Sequence, residues 1–354
     1  MGESWAVPPA GPLCDPTDLL SELATAIEWP DPEAEAAART WCAAAGGVDG
    51  QLATVVEWLS GVQGCFPPRD LRRARLVVFA ADHGIAEAGV SARPAGSTNM
   101  QAADMAAGAG PFGGLAQFTG AGVRVVDVGL MEPVTGVDTR VARRGTGRID
   151  REDALTAEAV DAAIRAGASV ADAEIDCGAD LLLAAAVGVG GSTAAAAVIS
   201  VVTGVEPVKV VGRGSGIDDD AWMRKLTAVR DARWRSRAYR HDQHSLLAAC
   251  GGSDLAALTG FLLHAASRRT PVVIDGVVTL AAALLAHEVA PRAMRWWTVA
   301  QAIPDRGYQA ALPRLGLSPI LDLRLRRGDG IGALISLPLL RAAVRLAGAD
   351  TNTF

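Results

Sequence analysis

The sequence predicts an α/β fold: a mostly parallel sheet covered by helices on both faces, three layers in all, with a smaller helical part beside it. Three observations predict it. Six short runs rich in Val, Ile and Leu recur along the chain, most of them continuous rather than alternating, as strands covered on both faces require. Ala-rich stretches with helical spacing separate them, and strand–helix alternation leads to right-handed crossovers and parallel neighbours. The 354 residues are 50% hydrophobic and 20% charged, which is ample for a large core and incompatible with general disorder.

Taken in order, residues 1–70 read as helices with breaks. DPEAEAAARTWCAAA is rich in helix formers and GGVDG ends it, while QLATVVEWLSGVQG places Leu52, Val55, Val56 and Leu59 at helical spacing. The strand runs follow: ARLVVFA (74–80), VRVVDVG (123–129), ADLLLAAA (179–186), PVKVVG (207–212), PVVIDG (271–276) and ILDLRL (320–325). Between them lie helical stretches such as REDALTAEAVDAAIRAGASVADAEI and SDLAALTGFLLHAASRR. From Leu181 to Val205 no residue is charged, long enough for a membrane span. Its Ala and Gly content and the interruption VGVGGST read instead as a buried strand, a glycine loop and a buried helix.

Lys+Arg is 33 against Asp+Glu at 39, a net charge of −6, so the basic excess of a general nucleic-acid binder is missing. Only Lys209 and Lys225 are lysines. The five cysteines are scattered with no C-x-x-C pair, which supports neither a disulfide framework nor a zinc site, and no metal is expected. The N-terminus MGESWAVPPAGPLCDP lacks a basic n-region and an apolar h-region, so a cytoplasmic protein is expected.

In open α/β sheets ligands bind beyond the carboxyl ends of the strands, so chemistry is expected in the loops there. ADHGIAEAGVSARP (81–94) holds Asp82 and His83, an acid–base pair, metal ligands, or local turn-formers. VGVGGSTAAAA (187–197) offers Gly188, Gly190 and Gly191, the hydroxyls of Ser192 and Thr193, and a helix N-terminus suited to an anion, or simply tight strand–helix packing. VGRGSGIDDDAWMRK (211–225) exposes backbone at Gly212, Gly214 and Gly216, with Ser215 between them; Asp218 to Asp220 can cap the next helix, and Lys225 can reach back over the loop. In RRGDGIGALISLP (326–338), Asp329 is either the N-cap of the last helix or a general base.

These four loops, collinear over roughly residues 35–345 together with RRTPVVIDGVVTLAAALLA, resemble the nicotinate-nucleotide–dimethylbenzimidazole phosphoribosyltransferase family. The resemblance implies a Rossmann-like sheet, a smaller domain built from the terminal helices, a homodimer, and no metal or organic cofactor. It divides the chain into N-terminal helices over 1–70, a main nucleotide-binding domain over 71–325, and a C-terminal loop and helix over 326–354 that complete the site. It implies transfer of the phosphoribosyl group of nicotinate mononucleotide to a benzimidazole, giving α-ribazole 5′-phosphate for the lower ligand of cobalamin. Gly188, Gly190, Gly191, Ser192, Thr193, Gly214, Ser215, Gly216 and Lys225 would hold the donor's phosphate and ribose. Asp82, His83, Ser91, Met100 and Gln101 would form the acceptor pocket, and Asp329 would be the base. The chain departs from the family pattern at Asp329 (a glutamate there), Ala186 (an acidic residue), Gly191 (an asparagine), Met100 (a glutamine) and the segment QAIPDRGY from Gln301 to Tyr308. Two alternatives therefore stand beside the family reaction: a changed acceptor or donor, and a non-catalytic nucleotide-binding paralogue.

Overall fold

The structure, a computed structural model, describes residues 19–44, 48–141 and 143–349. The N-terminal stretch read above for a leader lies outside them. In chain order the elements are α1 (Leu19–Thr25), α2 (Pro32–Ala43), α3 (Gly50–Gln63), β1 (Ala74–Ala81), α4 (Ser97–Ala106), α5 (Gly110–Thr119), β2 (Gly122–Gly129), β3 (Asp138–Thr139), α6 (Ala157–Asp176), β4 (Leu181–Val187), α7 (Gly191–Thr203), α8 (Pro207–Val210), α9 (Asp219–Ser236), α10 (Gln243–Cys250), α11 (Ser253–Ser267), β5 (Val272–Ile274), α12 (Val277–Val289), β6 (Trp297–Gln301), α13 (Arg306–Leu315), β7 (Pro319–Leu321) and α14 (Ile331–Ala347).

The strands form one sheet in the order β3-β2-β1-β4-β5-β6-β7, and every neighbouring pair is parallel. The order reverses between β1 and β4, where two ligand-accessible strand ends diverge. Side-chain alternation divides the core between the two faces. Val77 and Phe79 of β1 and Leu182 and Ala184 of β4 pack with α6, α7, α11 and α12. Leu76 and Val78 of β1 and Leu181 and Leu183 of β4 pack with α3, α4, α5 and α14. Both faces are apolar, which is why these strands read as unbroken hydrophobic runs. Phe79 meets Phe261 of α11 edge to face at 5.5 Å, a contact that adds about 0.5–1.5 kcal/mol to the area it buries. The charge-free run resolves into β4, a loop and α7, and no helix among the described residues is long and apolar enough to cross a membrane.

Two strand predictions are corrected. The run at 207–212 is the helix α8, not a strand. A short apolar run fits a strand and a buried helix equally well, and here Pro207 sits in the first turn, where its missing N–H leaves no hydrogen bond unmade. The run at 320–325 pairs only as far as Leu321, and farther along it Arg324 takes φ +52°. β3 and β6 have no counterpart among the predicted strands.

One polar contact ties the end of the chain to the middle of the sheet. Asp275 follows β5 and is 1% exposed. Its Oδ2 accepts the amides of Gly330 (3.1 Å), Gly332 (2.9 Å) and Ala333 (3.3 Å), so it caps α14 from a distant part of the sequence. The backbones of Gly276 and Gly328 touch beside it, and a β-carbon at Gly328 would stand 2.2 Å from Cα of Gly276. Removing the acceptor leaves these buried amides unpaired, at about 1–3 kcal/mol. Asp275→Ala is therefore expected to lower the unfolding free energy by that amount in urea titration. Asp275→Asn, which keeps an acceptor oxygen, is expected to lose much less, and a loss equal to that of alanine would contradict the capping role.

Candidate active site

A cleft of about 200 Å³ opens where β1 and β4 diverge. Four groups of residues converge on it. The loop after β1 brings Ser91 and Arg93, with Gln101 from α4. The loop after β4 brings Gly188, Gly190 and Ser192 at the start of α7. The loop between α8 and α9 brings Arg213, Gly214 and Ser215. The last loop brings Arg326, Arg327 and Asp329. Ile303 to Asp305, beyond β6, close the remaining side.

The loop after β1 and the loop between α8 and α9 are tied together. Ser215 Oγ accepts the amide of Ala92 (2.8 Å) and lies 3.1 Å from Ser91 Oγ. Asp218 caps α9 through the amide of Ala221 (2.8 Å), as its place after the glycines predicted. That cap orients α9 so that Lys225 points back toward the site.

Of the residues predicted for the donor, Gly188, Gly190, Ser192, Gly214 and Ser215 line the cleft. Lys225 stands one layer behind: it is 1% exposed, and its Nζ donates to Ser192 Oγ at 2.9 Å. Burial pulls its ammonium down to about 8, against the opposing charge of Asp305. Gly191, Thr193 and Gly216 do not line the cleft, and Thr193 is fully buried. Of the acceptor set, Ser91 and Gln101 line it, with Gln101 Oε1 accepting from Arg93 (2.5 Å). Asp82, His83 and Met100 do not. Asp82 Oδ2 accepts the amide of Met131 (3.0 Å), His83 is buried against Asp254, and Met100 is 67% exposed on α4.

Asp329 is not the cap of α14: the N-cap position is Gly330, and the capping oxygen is that of Asp275. Its Oδ2 instead accepts two bonds from Arg327, from Nε at 2.9 Å and Nη2 at 2.5 Å, while its Oδ1 is buried with no partner among the described residues. Asp275, missed in the sequence, lies behind it, and its own Oδ1 is likewise unpartnered among those residues. Burial first, and the charge of Asp329 with it, push the Asp275 carboxyl up to about 7 despite its three amide donors. One carboxylate thus stands at the cleft with one oxygen buried and unpartnered among the described residues, and a second, partly protonated near pH 7, stands behind it. The signal available for Asp275 was an aspartate ending an apolar run just before a glycine. The cleft wall carries four arginines against two aspartates, a balance that draws anionic ligands.

Comparisons with known proteins place the chain in a family. A family model described as phosphoribosyltransferase matches residues 27–354. The nicotinate-nucleotide–dimethylbenzimidazole phosphoribosyltransferase of Mycobacterium ulcerans (strain Agy99) is 47% identical over 323 residues, covering 90% of each chain. The chain belongs to this family. The protein of the same name from Mycobacterium avium (strain 104) is 47% identical over 328 residues, covering 91% of this chain and 94% of its own. A crystal structure from Thermus thermophilus, also so named, superposes with a TM-score of 0.83 at 34% identity, covering 91% of this chain and 97% of that one. The relatives agree with the α/β fold and with the family that the four loops resemble.

The position of Lys225 makes its charge testable. Its ammonium is lost as pH rises through about 8, and with it the charge behind Ser192. In the free enzyme, kcat/KM for an anionic donor is expected to fall above about pH 8. Lys225→Arg, which keeps its charge, is expected to move that decline upward by more than a unit, and a decline at the same pH in both proteins would assign it to another group.

Proposed function

We propose that this protein transfers the phosphoribosyl group of nicotinate mononucleotide to 5,6-dimethylbenzimidazole or a related base, in the assembly of the lower ligand of cobalamin. The carrying observation is that relatives of that name match nine-tenths of the chain while Asp329 stands at a cleft walled by two glycine-bearing loops. In this reading the amides at the start of α7 and the loop at 213–216 receive the donor's phosphate, where free N–H groups and the helix dipole favour an anion. Ser192, backed by Lys225, adds a donor. The unprotonated nitrogen of the acceptor attacks C1′ of the ribose with inversion. The C1′–N bond to nicotinate breaks, and its electron pair returns to the ring nitrogen, discharging the pyridinium. Asp329 takes the proton from the acceptor's other nitrogen, so that α-ribazole 5′-phosphate forms with an uncharged benzimidazole ring.

Arg327 holds one oxygen of Asp329, and in this reading the other, buried and unpartnered among the described residues, takes that proton. Action as a homodimer belongs to the same proposal and rests on the family resemblance, and a cytoplasmic location rests on the scattered cysteines. Ala186, whose methyl lines the cleft where the family carries an acid, favours a second reading in which the acceptor or donor differs.

The test is nicotinate release from nicotinate mononucleotide with a panel of benzimidazoles and purines. Release with dimethylbenzimidazole supports the first reading, and release only with another base the second. Donor binding with no release for any base would point to a nucleotide-binding paralogue. Asp329→Asn is expected to cut turnover by about 10²–10⁴-fold, with donor affinity within a few-fold of wild type. Unchanged turnover would remove Asp329 from the mechanism.

A further inference from the structure

His83 lies outside the cleft, and the reaction derived above gives it no part. It follows β1, is 3% exposed, and its Nε2 stands 3.1 Å from Oδ2 of Asp254 in the first turn of α11. Asp254 is itself fully buried, and its Oδ1 accepts the amide of Leu255 at 2.8 Å. His83 Nδ1 has no hydrogen-bond partner among the described residues, so Asp254 is the ring's polar anchor.

The imidazole fills the space behind the loop from β4 to α7. A β-carbon added at Gly190 would stand 3.0 Å from His83 Cβ, one at Gly191 3.3 Å from Nε2, and one at Gly188 3.5 Å from Cδ2. At Gly252, just before α11, the added carbon would stand 2.5 Å from Cε1. Glycine backbone from two separate segments therefore packs directly on the ring. The bare backbone at Gly190, read from the sequence as room for a phosphate, also leaves room for His83, whereas at Gly188 the tightest limit is Ala81 O at 2.3 Å.

We propose that His83, held by Asp254, is a positioning residue that fixes the 188–191 loop in the shape that receives the donor's phosphate. The proposal rests on reading that loop as the phosphate site. The charged groups acting on the ring are Asp254 from α11 and Asp82 from the end of β1; the 188–191 loop and Gly252 bring only backbone. Burial opposes a charge on the ring, but the Asp254 carboxylate, its hydrogen bond and the charge of Asp82 outweigh it and raise the imidazole above the ordinary histidine range. A positive charge held there also adds to the field that an incoming anion meets.

The test is steady-state kinetics and nicotinate mononucleotide binding on the full chain, with thermal melts, for wild type, His83→Gln, Asp254→Asn and Gly190→Val. Glutamine keeps a donor toward Asp254 but removes the ring and its titration. His83→Gln is expected to raise KM for the donor about tenfold or more with kcat within about threefold, a split that general destabilisation does not give. The wild-type rise of donor KM as the imidazole loses its proton is expected to vanish in this variant, leaving the Lys225 inflection alone. Asp254→Asn is expected to show the same KM split, and it decides the matter if the glutamine variant does not fold. If folded His83→Gln keeps the wild-type KM and pH profile while Gly190→Val has lost the donor, the loop is the phosphate site and His83 does not position it. If Gly190→Val binds the donor as wild type does, the phosphate reading of the loop fails, and this proposal fails with it.

Discussion

A single buried carboxylate, Asp275, holds the C-terminal helix to the centre of the sheet. Three amides of the first turn of α14 converge on its Oδ2, and the touching backbones of Gly276 and Gly328 leave no play beside it. Everything the last loop contributes to the cleft depends on this contact, because Asp329 and Arg327 lie within three residues of the capped turn. The contact carries an electrostatic penalty: two buried aspartates stand close together, and the inner one is pushed up to about 7. Its folded-state value lies above that of an exposed carboxyl, so its contribution to stability is full below about pH 4 and is lost as pH rises through about 7. Near neutrality the inner acid is then partly protonated, which eases the repulsion on the outer one.

The rest of the site follows from the reversal of strand order. β1 and β4 lie side by side but send their chains to opposite parts of the sheet, so the loops beyond them part and leave a cleft. One wall offers backbone amides, hydroxyls and Lys225 behind Ser192; the other offers Asp329, restrained by Arg327. In the proposed reading the first wall receives the donor's phosphate and Asp329, on the opposite side, acts as the base. That separation is what transfer of a phosphorylated sugar to a nitrogen nucleophile needs, since the phosphate is held at a distance from the carbon that reacts.

Much of this was legible in the sequence, and the failures have physical causes. β1, β2 and β4 stood out because both faces of the central sheet are buried, which leaves no polar alternation in Val77 to Ala80 or Leu181 to Ala185. α8 misled because the four residues Pro207–Val210 are too few to show a period, and Pro207 outweighed the β-branched valines. β6 was hidden because Trp297 to Gln301 is a short run that joins the turn Pro291–Trp296 directly, with no Gly or Pro at the junction. Within the site, the glycine loops, Lys225 and Asp329 were visible through their order along the chain. The layers were not: sequence places Asp82, His83 and Met100 close to the cleft, but one turn of backbone decides whether a side chain faces the ligand, the core or solvent. The choice between base and cap at Asp329 also lay beyond the local pattern, since the true cap, Asp275, is 54 residues away from it.

The central claim is that the cleft at the β1–β4 divergence holds the donor with its reacting carbon facing Asp329. A crystal structure of the chain with nicotinate mononucleotide tests it most directly. The account predicts the phosphate within hydrogen-bond reach of the amides at 188–192 or 213–216, and C1′ turned toward Asp329 with room for a planar base between them. A nucleotide seated elsewhere, or one in this cleft with its phosphate on the Asp329 side, would contradict it.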